Sequence, residues 1–313
     1  MANTVGQPGV SVIIPIFNSC STIMEQLDAL TQQTDYPSFE IILADNGSSD
    51  GGPAMVRSRP LCGVRVIDAS QRRGAVFARN RGVDTARGSL ILFCDADDVV
   101  CQGWVAALVG ALSEFDLVGG GFDVASLNAD IAAWRPRPAT AAVLDAKPLP
   151  FASSANFGIR RTVFTALGGW RSEGAEDRDL CWRAQLAGYS LGFVPGAVVR
   201  VRYRRKLTGL AEQAYRYGRA GERVKSRFPM LEHAEVTPWW RLIAWLVLNA
   251  PLLARRRTRG MWVYAIAHKC GVMVSRRKVL RLILGKPSHG GRARSEATGH
   301  IGRRERRGER LGP

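Results

Sequence analysis

Cysteine is sparse and unpatterned in this chain: the six residues, at 20, 62, 94, 101, 181 and 270, include no CxxC pair and no ladder of short spacings. Neither a zinc site nor a disulfide framework is signalled, and the six read as small buried hydrophobes of a reducing compartment. Long hydrophobic runs are missing as well. The apolar stretch 242–254 (LIAWLVLNAPLLA) has 13 residues and contains Asn249 and Pro251, whereas a helix that crosses a membrane needs roughly 20. A second stretch, 260–275, is interrupted by His268 and Lys269. The first residues, MANTVGQPGVSV, lack the basic region and apolar stretch of a secretory leader, so the front half is expected in the cytosol.

Acidic charge is what the back of the chain lacks. Over 313 residues, 44 Lys and Arg outnumber 27 Asp and Glu, for a net charge of +17. Residues 1–150 carry 11 basic and 16 acidic side chains, whereas residues 199–313 carry 28 and 7. A slightly acidic front and a strongly basic back suggest two tasks, the second facing something anionic such as a membrane surface, a nucleic acid or a phosphorylated ligand. With 46% apolar and 23% charged residues the chain is neither disordered nor wholly membrane-embedded. Its length suits one large domain, or one domain with an appendage.

Residues 10–14 (VSVII), 40–44 (EIILA), 64–67 (VRVI) and 90–94 (LILFC) are short apolar runs that read as strands buried on both faces. Helix-length segments at 21–34, 75–86 and 102–114 alternate with them, so the economical fold is an α/β layer around a mainly parallel sheet. Residues 126–150 hold four of the fifteen prolines and read as a long loop or flap. Helices are expected at 161–167 and 177–187, stopped by glycines, with extended chain at 193–201 and a basic helix at 207–227. Four of the eight tryptophans (239, 240, 245 and 262) fall among the arginines that follow. Trp beside Arg is the composition of a helix lying at the headgroup level of a bilayer; a soluble helical hairpin packed on the front domain is the alternative. The last residues, 286–313, read as a disordered Arg-rich tail.

Three acidic groups fall at or just past expected strand ends, where an open α/β sheet places its ligand crevice. Asp45 leads the turn Asp45-Asn46-Gly47-Ser48-Ser49-Asp50-Gly51, although turn chemistry alone accepts every one of these residues. Asp95-Ala96-Asp97-Asp98 follows LILFC directly. Two carboxylates one residue apart can point the same way if the chain turns between them, and hard divalent cations take such ligands. A cap cluster before the helix near Gln102 is the structural alternative. Glu176-Asp177-Arg178-Asp179 opens a helix, where acids complement the dipole and where a carboxylate is also a candidate general base.

In order and spacing, SVIIPIFN (11–18), ILADNGSSDG (42–51), RRGAVFARNRG (72–82), LILFCDADD (90–98) and ALGGWRSEGAEDRDLCWRAQLAGY (166–189) resemble family 2 glycosyltransferases with the GT-A fold. The resemblance covers about residues 9–205. It implies a GT-A domain over 1–205, a Rossmann-like mainly parallel sheet between helices. Residues 206–285 would be a basic, apolar helical extension associated with a membrane. It implies that Pro15, Phe17, Asn18 and Asp45 bind the base and ribose of a nucleotide-sugar donor, with Arg73, Gly74, Arg79 and Asn80 nearby. Asp95, Ala96 and Asp97 match the DxD motif, with Asp95 and Asp97 holding Mg²⁺ or Mn²⁺ against the donor diphosphate. Asp177 matches the usual catalytic base and Glu176 an acceptor or orientation contact.

Bond chemistry agrees with those roles. A nucleoside diphosphate leaves only when its charge is offset, which a cation does as a Lewis acid. An acceptor hydroxyl needs a carboxylate to take its proton. The resemblance implies a single displacement with inversion, from a UDP-sugar most often, to a glycan or lipid-linked acceptor at the anionic inner face of the cell membrane. Two departures stand out. Many relatives have Asp where this chain has Asn46, and relatives often carry a His after the late strand, whereas no His occurs between residues 1 and 232. Arg200 or Arg202 would then contact the diphosphate directly. A Gln-x-x-Arg-Trp motif is not evident, which argues for one sugar per encounter. The competing readings are a catalytically silent scaffold of the same fold and a nucleic-acid-binding protein acting through the basic back half, although no recognition motif such as an RNP sequence is visible.

Overall fold

The computed structural model describes residues 9–283 except 37, 60, 136–147, 172–174 and 232–238. In chain order the elements are β1 (Val10–Ile16), α1 (Ile23–Thr31), β2 (Phe39–Asp45), α2 (Gly52–Ser58), β3 (Val64–Asp68), α3 (Ala75–Thr85), β4 (Leu90–Cys94), β5 (Val99–Val100), α4 (Trp104–Ala111), β6 (Leu117–Asp123), β7 (Asn156–Arg160), α5 (Arg161–Ala166), α6 (Glu176–Leu186), β8 (Leu191–Arg200), α7 (Leu207–Lys225), α8 (Trp239–Leu248) and α9 (Arg259–Ile283).

The strands form one sheet in the order β3-β2-β1-β4-β7-β6-β8-β5. The half from β3 to β4 is parallel. Beyond it β7 runs antiparallel to both β4 and β6, β6 and β8 are parallel, and β5 closes the edge antiparallel to β8. The expected parallel sheet therefore holds for the first half, and the second half is mixed.

Burial explains the central strands. Alternate residues of β1 enter different cores: Val10, Val12, Ile14 and Ile16 join the α1 and α4 side, whereas Ile13 joins the side of Phe93, Phe157 and Trp170. Both faces are covered, so an unbroken apolar run is the sequence that fits. Each fully buried Ile, Leu or Phe contributes roughly 1.5–3 kcal/mol. β6 had no such signature, because it reads LVGGGFD. Its glycines answer to close approach: a Cβ on Gly119 would overlap Ala152, and one on Gly120 would overlap the Ala197 carbonyl. Buried Asn156 of β7 sits at the same seam. It donates to the carbonyls of Gly121 (2.7 Å) and Ala197 (2.8 Å) and accepts from the Trp104 indole at 2.8 Å.

The C-terminal helices pack on one another and against Trp134 of the front part of the chain. α7 and α9 touch backbone to backbone at Gly218 and Gly271, where a Cβ would overlap the His268 and Tyr215 carbonyls respectively. Gly260, at the start of α9, lies under the Trp134 ring, and the Trp134 indole donates to the Arg256 carbonyl at 2.7 Å. α8 is tied to α9 by the Trp262 indole, which donates to the Leu246 carbonyl at 3.2 Å. No helix among the described residues is long and apolar enough to cross a membrane. Of the cysteines, only Cys94 and Cys181 are buried; Cys62 is exposed and the other three are half-buried. This corrects the expectation that all six are core residues. The middle of the expected flap (136–147) and the expected tail (286–313) lie outside the described residues.

Candidate active site

β1 and β4 are neighbours, yet the chain visits β2 and β3 on one side of β1 before returning to the other side as β4. Such a reversal opens a crevice at the carboxyl ends of the strands. Residues 15–18, Asp45 and residues 95–98 are all brought to that end.

Pro15 is still within β1, paired with Ala44, and the strand closes with Ile16 opposite Asp45. Phe17 then stands 52% exposed on the rim, with the Arg73 guanidinium 4.8 Å from its ring centre. Asn18 takes a left-handed backbone, φ 51°, which Asn tolerates better than most residues. Its carboxamide oxygen accepts from the Ser49 amide at 2.8 Å, and the Asp45 carboxylate accepts from the Ser48 amide at 2.9 Å. Asp50 fastens the same loops by accepting from the Cys20 amide at 2.7 Å and the Gly52 amide at 3.0 Å, bonds that hold its carboxyl below the usual range.

Asn46 is buried and uses both ends of its amide. Its nitrogen donates to the Ala69 and Arg72 carbonyls at 2.5 and 2.8 Å, and its oxygen accepts from the Gly74 amide at 2.8 Å. A carboxylate could make only the last of these. This accounts for the amide here and seats Gly74 and Arg73 beside Asp45.

Carboxylate oxygens of Asp95, Asp97 and Asp98 lie within 4.8 Å of one another. Desolvation in the cleft, and then the Asp95 charge, push the Asp97 carboxyl upward, while Arg204 and Arg202 pull it down. Three oxygen donors of like charge crowded at a strand end fit a hard divalent cation such as Mg²⁺ or Mn²⁺. Gln26, fully buried on the inner face of α1, fixes the loop by donating to the Asp95 carbonyl at 3.1 Å and accepting from the Val100 amide at 3.0 Å.

Arg79 lies under this cluster, its side chain only 4% exposed. It donates to Asp95 at 2.6 Å and to Glu176 at 3.0 Å. Burial opposes its charge, but the two carboxylates more than offset that and raise its pKa further. Glu176 also accepts from the Ser154 hydroxyl at 3.3 Å. Next to it, burial and then the Glu176 charge push the Asp177 carboxyl up to about 6, against the pull of Arg178. Asp177 is half-buried and accepts from the Arg178 amide at 2.8 Å. A carboxylate poised near neutrality suits a general base.

Two residues expected beside a donor have other partners. Arg79 bridges two acids from below, and the Asn80 carboxamide is taken up by the Trp170 backbone, donating to its carbonyl at 2.9 Å and accepting from its amide at 3.1 Å. At the late strand, Arg202 rather than Arg200 reaches the acidic loop. Its amide donates to Asp98 at 2.9 Å, its Nε to the Asp97 carbonyl at 3.1 Å, and its terminal nitrogen to Glu25 at 2.6 Å. Arg200 has a buried Nε without a partner. Gln26, Ser154 and Asn156 escaped the sequence reading, and Asp98 was read only as a member of the acidic group. A lone Gln between Ile23, Leu27 and Leu30 of α1 was a legible signal for Gln26.

Comparison with known proteins identifies the family and the fold. The family model described as Glycosyl transferase family 2 matches residues 11–168, and that described as Glycosyl transferase family group 2 matches residues 90–274. Glycosyltransferase AglE of Haloferax volcanii is 29% identical over 252 residues, 77% of this chain and 81% of that protein. The pre-mycofactocin glycosyltransferase of Mycobacterium tuberculosis is 25% identical over 253 residues, 77% of this chain and 52% of that protein. Among solved structures, mannosyltransferase PcManGT from Pyrobaculum calidifontis, in complex with GDP-Man and Mn²⁺, superposes with a TM-score of 0.63 at 20% identity, over 86% of this chain and 88% of that one. GalNAc-T7 with UDP, GalNAc and Mn²⁺ gives 0.54 at 21% identity, over 70% and 48%. The shared fold is GT-A.

Proposed function

The chain belongs to glycosyl transferase family 2, and from that premise we propose that it moves a sugar from a nucleoside diphosphate donor to an acceptor hydroxyl with inversion at the anomeric carbon. The observation that carries this reading is the Arg79 bridge. One buried guanidinium joins Asp95, 16 residues away, to Glu176, 97 residues away, so the cation motif and the base motif share one floor.

Phe17, Asn18, Asp45 and Arg73 would line the base and ribose end of the donor, beside the turn of Pro15 and Gly74. Asp95 and Asp97, with Asp98 behind them, would hold Mg²⁺ or Mn²⁺, which offsets the charge of the departing diphosphate when bound. Arg202 brings a fixed positive charge to the same edge. Asp177, ionised at neutral pH with its carboxyl near 6, takes the acceptor proton as the new bond forms. Glu176 is held by Arg79 and Ser154 and keeps Asp177 oriented.

Neighbours with GDP-Man and with UDP support a nucleotide-sugar donor without choosing the base; a UDP-sugar is our first choice. The acceptor we propose is a lipid-linked or surface glycan intermediate. Residues 1–205 would form the catalytic unit, and residues 206–285 would hold it on the anionic inner face of the cell membrane.

The test is turnover of a panel of UDP-, GDP- and dTDP-sugars with Mn²⁺ and a panel of hydroxyl acceptors, water included, followed by nucleoside diphosphate release and by proton NMR of the first product formed. An inverted anomeric configuration in that product, from one donor, supports the reading. Retention, or no turnover of any donor by protein that binds none of the three diphosphates, refutes it and leaves the silent scaffold.

A further inference from the structure

Among the described residues, most of the exposed large hydrophobic side chains stand on the C-terminal helices. On α8 and the short turn after it they are Trp240 (54% exposed), Ile243, Val247, Leu248 (79%) and Leu253. Positions 240, 243, 244, 247 and 248 follow helical spacing and form one apolar face, while Leu242, Trp245 and Leu246 on the other side are half-buried. Apart from Arg241, α8 is thus apolar all round but covered on one side only.

Charge decides what covers the other side. Residues 239–259 contain five arginines and no acid. Arg241 lies 5.3 Å over the Trp240 ring, and Arg255 and Arg257 stand exposed in the turn that leads to α9. A soluble protein partner would need an apolar surface rimmed with acids. A bilayer offers both features at once, acyl chains for the apolar face and anionic headgroups for the arginines. Spanning is excluded by length: a ten-residue helix is about 15 Å long, against a hydrocarbon core of roughly 30 Å.

We propose that α8 is a monotopic membrane anchor lying in the plane of an anionic bilayer, with Trp240, Ile243, Val247 and Leu248 in the acyl boundary and Arg241, Arg255 and Arg257 among the headgroups. The assignment deepens the membrane part of the reading above and is independent of the catalytic part. It has a mechanical consequence. The turn that leads to α9 is bonded to Trp134, and Arg256 pairs with Asp130 at 3.7 Å, so the anchor is fixed to the catalytic body beside Trp134 and Asp130. A lipid-linked acceptor would then meet the body at a fixed distance from the bilayer.

The experiment uses the full chain and vesicles of phosphatidylcholine with or without 30% phosphatidylglycerol (about 0.1 M salt), read by co-sedimentation and by tryptophan emission. Wild type is expected to bind the anionic vesicles with a blue shift. A Trp240→Ser/Val247→Ser/Leu248→Ser variant should lose at least tenfold in partitioning and the blue shift, because these side chains are exposed and the helix keeps its packed face. An Arg255→Gln/Arg257→Gln variant should lose several-fold on anionic vesicles only. Cation-dependent nucleotide binding, measured on the same samples, should be unchanged in both, which separates failure of the anchor from failure of the active-site reading. Three results overturn the proposal: no binding of wild type to either vesicle, unaltered binding by the triple variant, or a wild-type dimer in solution that the triple variant dissociates.

Discussion

Replacing Asp177 with Asn separates what the carboxylate does for the reaction from what it does to the fold. In the folded chain burial, helped by the Glu176 charge, lifts this carboxyl from 3.8 to about 6. A displacement of about two pH units corresponds to about 3 kcal/mol between the two protonation states, at 1.36 kcal/mol per unit. The folded carboxyl holds its proton more tightly than the unfolded one. Between pH of about 4 and 6 the folded state therefore binds more protons, and stability falls as pH rises through that window and stays lower above it. Asn carries no charge and keeps an oxygen to accept from the Arg178 amide. At pH 7.5 the variant should be the more stable protein, by up to about 3 kcal/mol, and the advantage should fade at pH 4.5. Urea denaturation in EDTA at the two pH values measures this directly. Turnover should move the other way, falling roughly 10²- to 10⁴-fold through loss of the base, and wild-type kcat/KM should drop tenfold per unit below pH of about 6. A variant that is less stable than wild type at pH 7.5, or that keeps more than a tenth of its turnover, would refute the reasoning.

Other substitutions probe the supports of the site. Arg79→Met leaves Asp95 and Glu176, 33% and 13% exposed, without their shared cation and should cost about 1.5–3 kcal/mol in denaturant unfolding; a cost below about 1 kcal/mol would mean that solvent already serves those carboxylates. Asn46→Asp removes donors to two carbonyls and should destabilise by about 1–3 kcal/mol, with weaker nucleotide binding on calorimetry because Gly74 and Arg73 lose their seat. Gly218→Leu should drive α7 away from the His268 carbonyl and cost about 1–3 kcal/mol, appearing as faster hydrogen exchange along α9 while nucleotide binding persists.

What could be read from the sequence follows burial. β1, β2 and β4 are covered on both faces, so their apolar runs were unambiguous, and the strand-end acids could be placed from them. β6 could not be read because LVGGGFD satisfies tertiary constraints, the carbonyl of Ala197 and the side chain of Ala152, that no local window contains. The site divides the same way. Asp45, Asp95, Asp97 and Asp177 stand at strand or helix ends and were visible as patterns. The partners of Arg79 and Asn80 lie up to 97 and 90 residues away, so only the folded chain shows one bridging two acids from below and the other holding the Trp170 backbone. Asp98 was visible as an acid but not as the tie to β8, which depends on the Arg202 amide arriving across the sheet.

The central claim is that the strand-end acids hold a cation against a nucleoside diphosphate. Calorimetric titration of wild type and Asp95→Ala with UDP, GDP and dTDP, each with Mn²⁺ and with EDTA, tests it most directly. The account predicts that one nucleotide binds wild type, that EDTA weakens binding at least tenfold, and that Asp95→Ala behaves in Mn²⁺ as wild type does in EDTA. Equal binding with and without the cation, unaffected by the substitution, would contradict it.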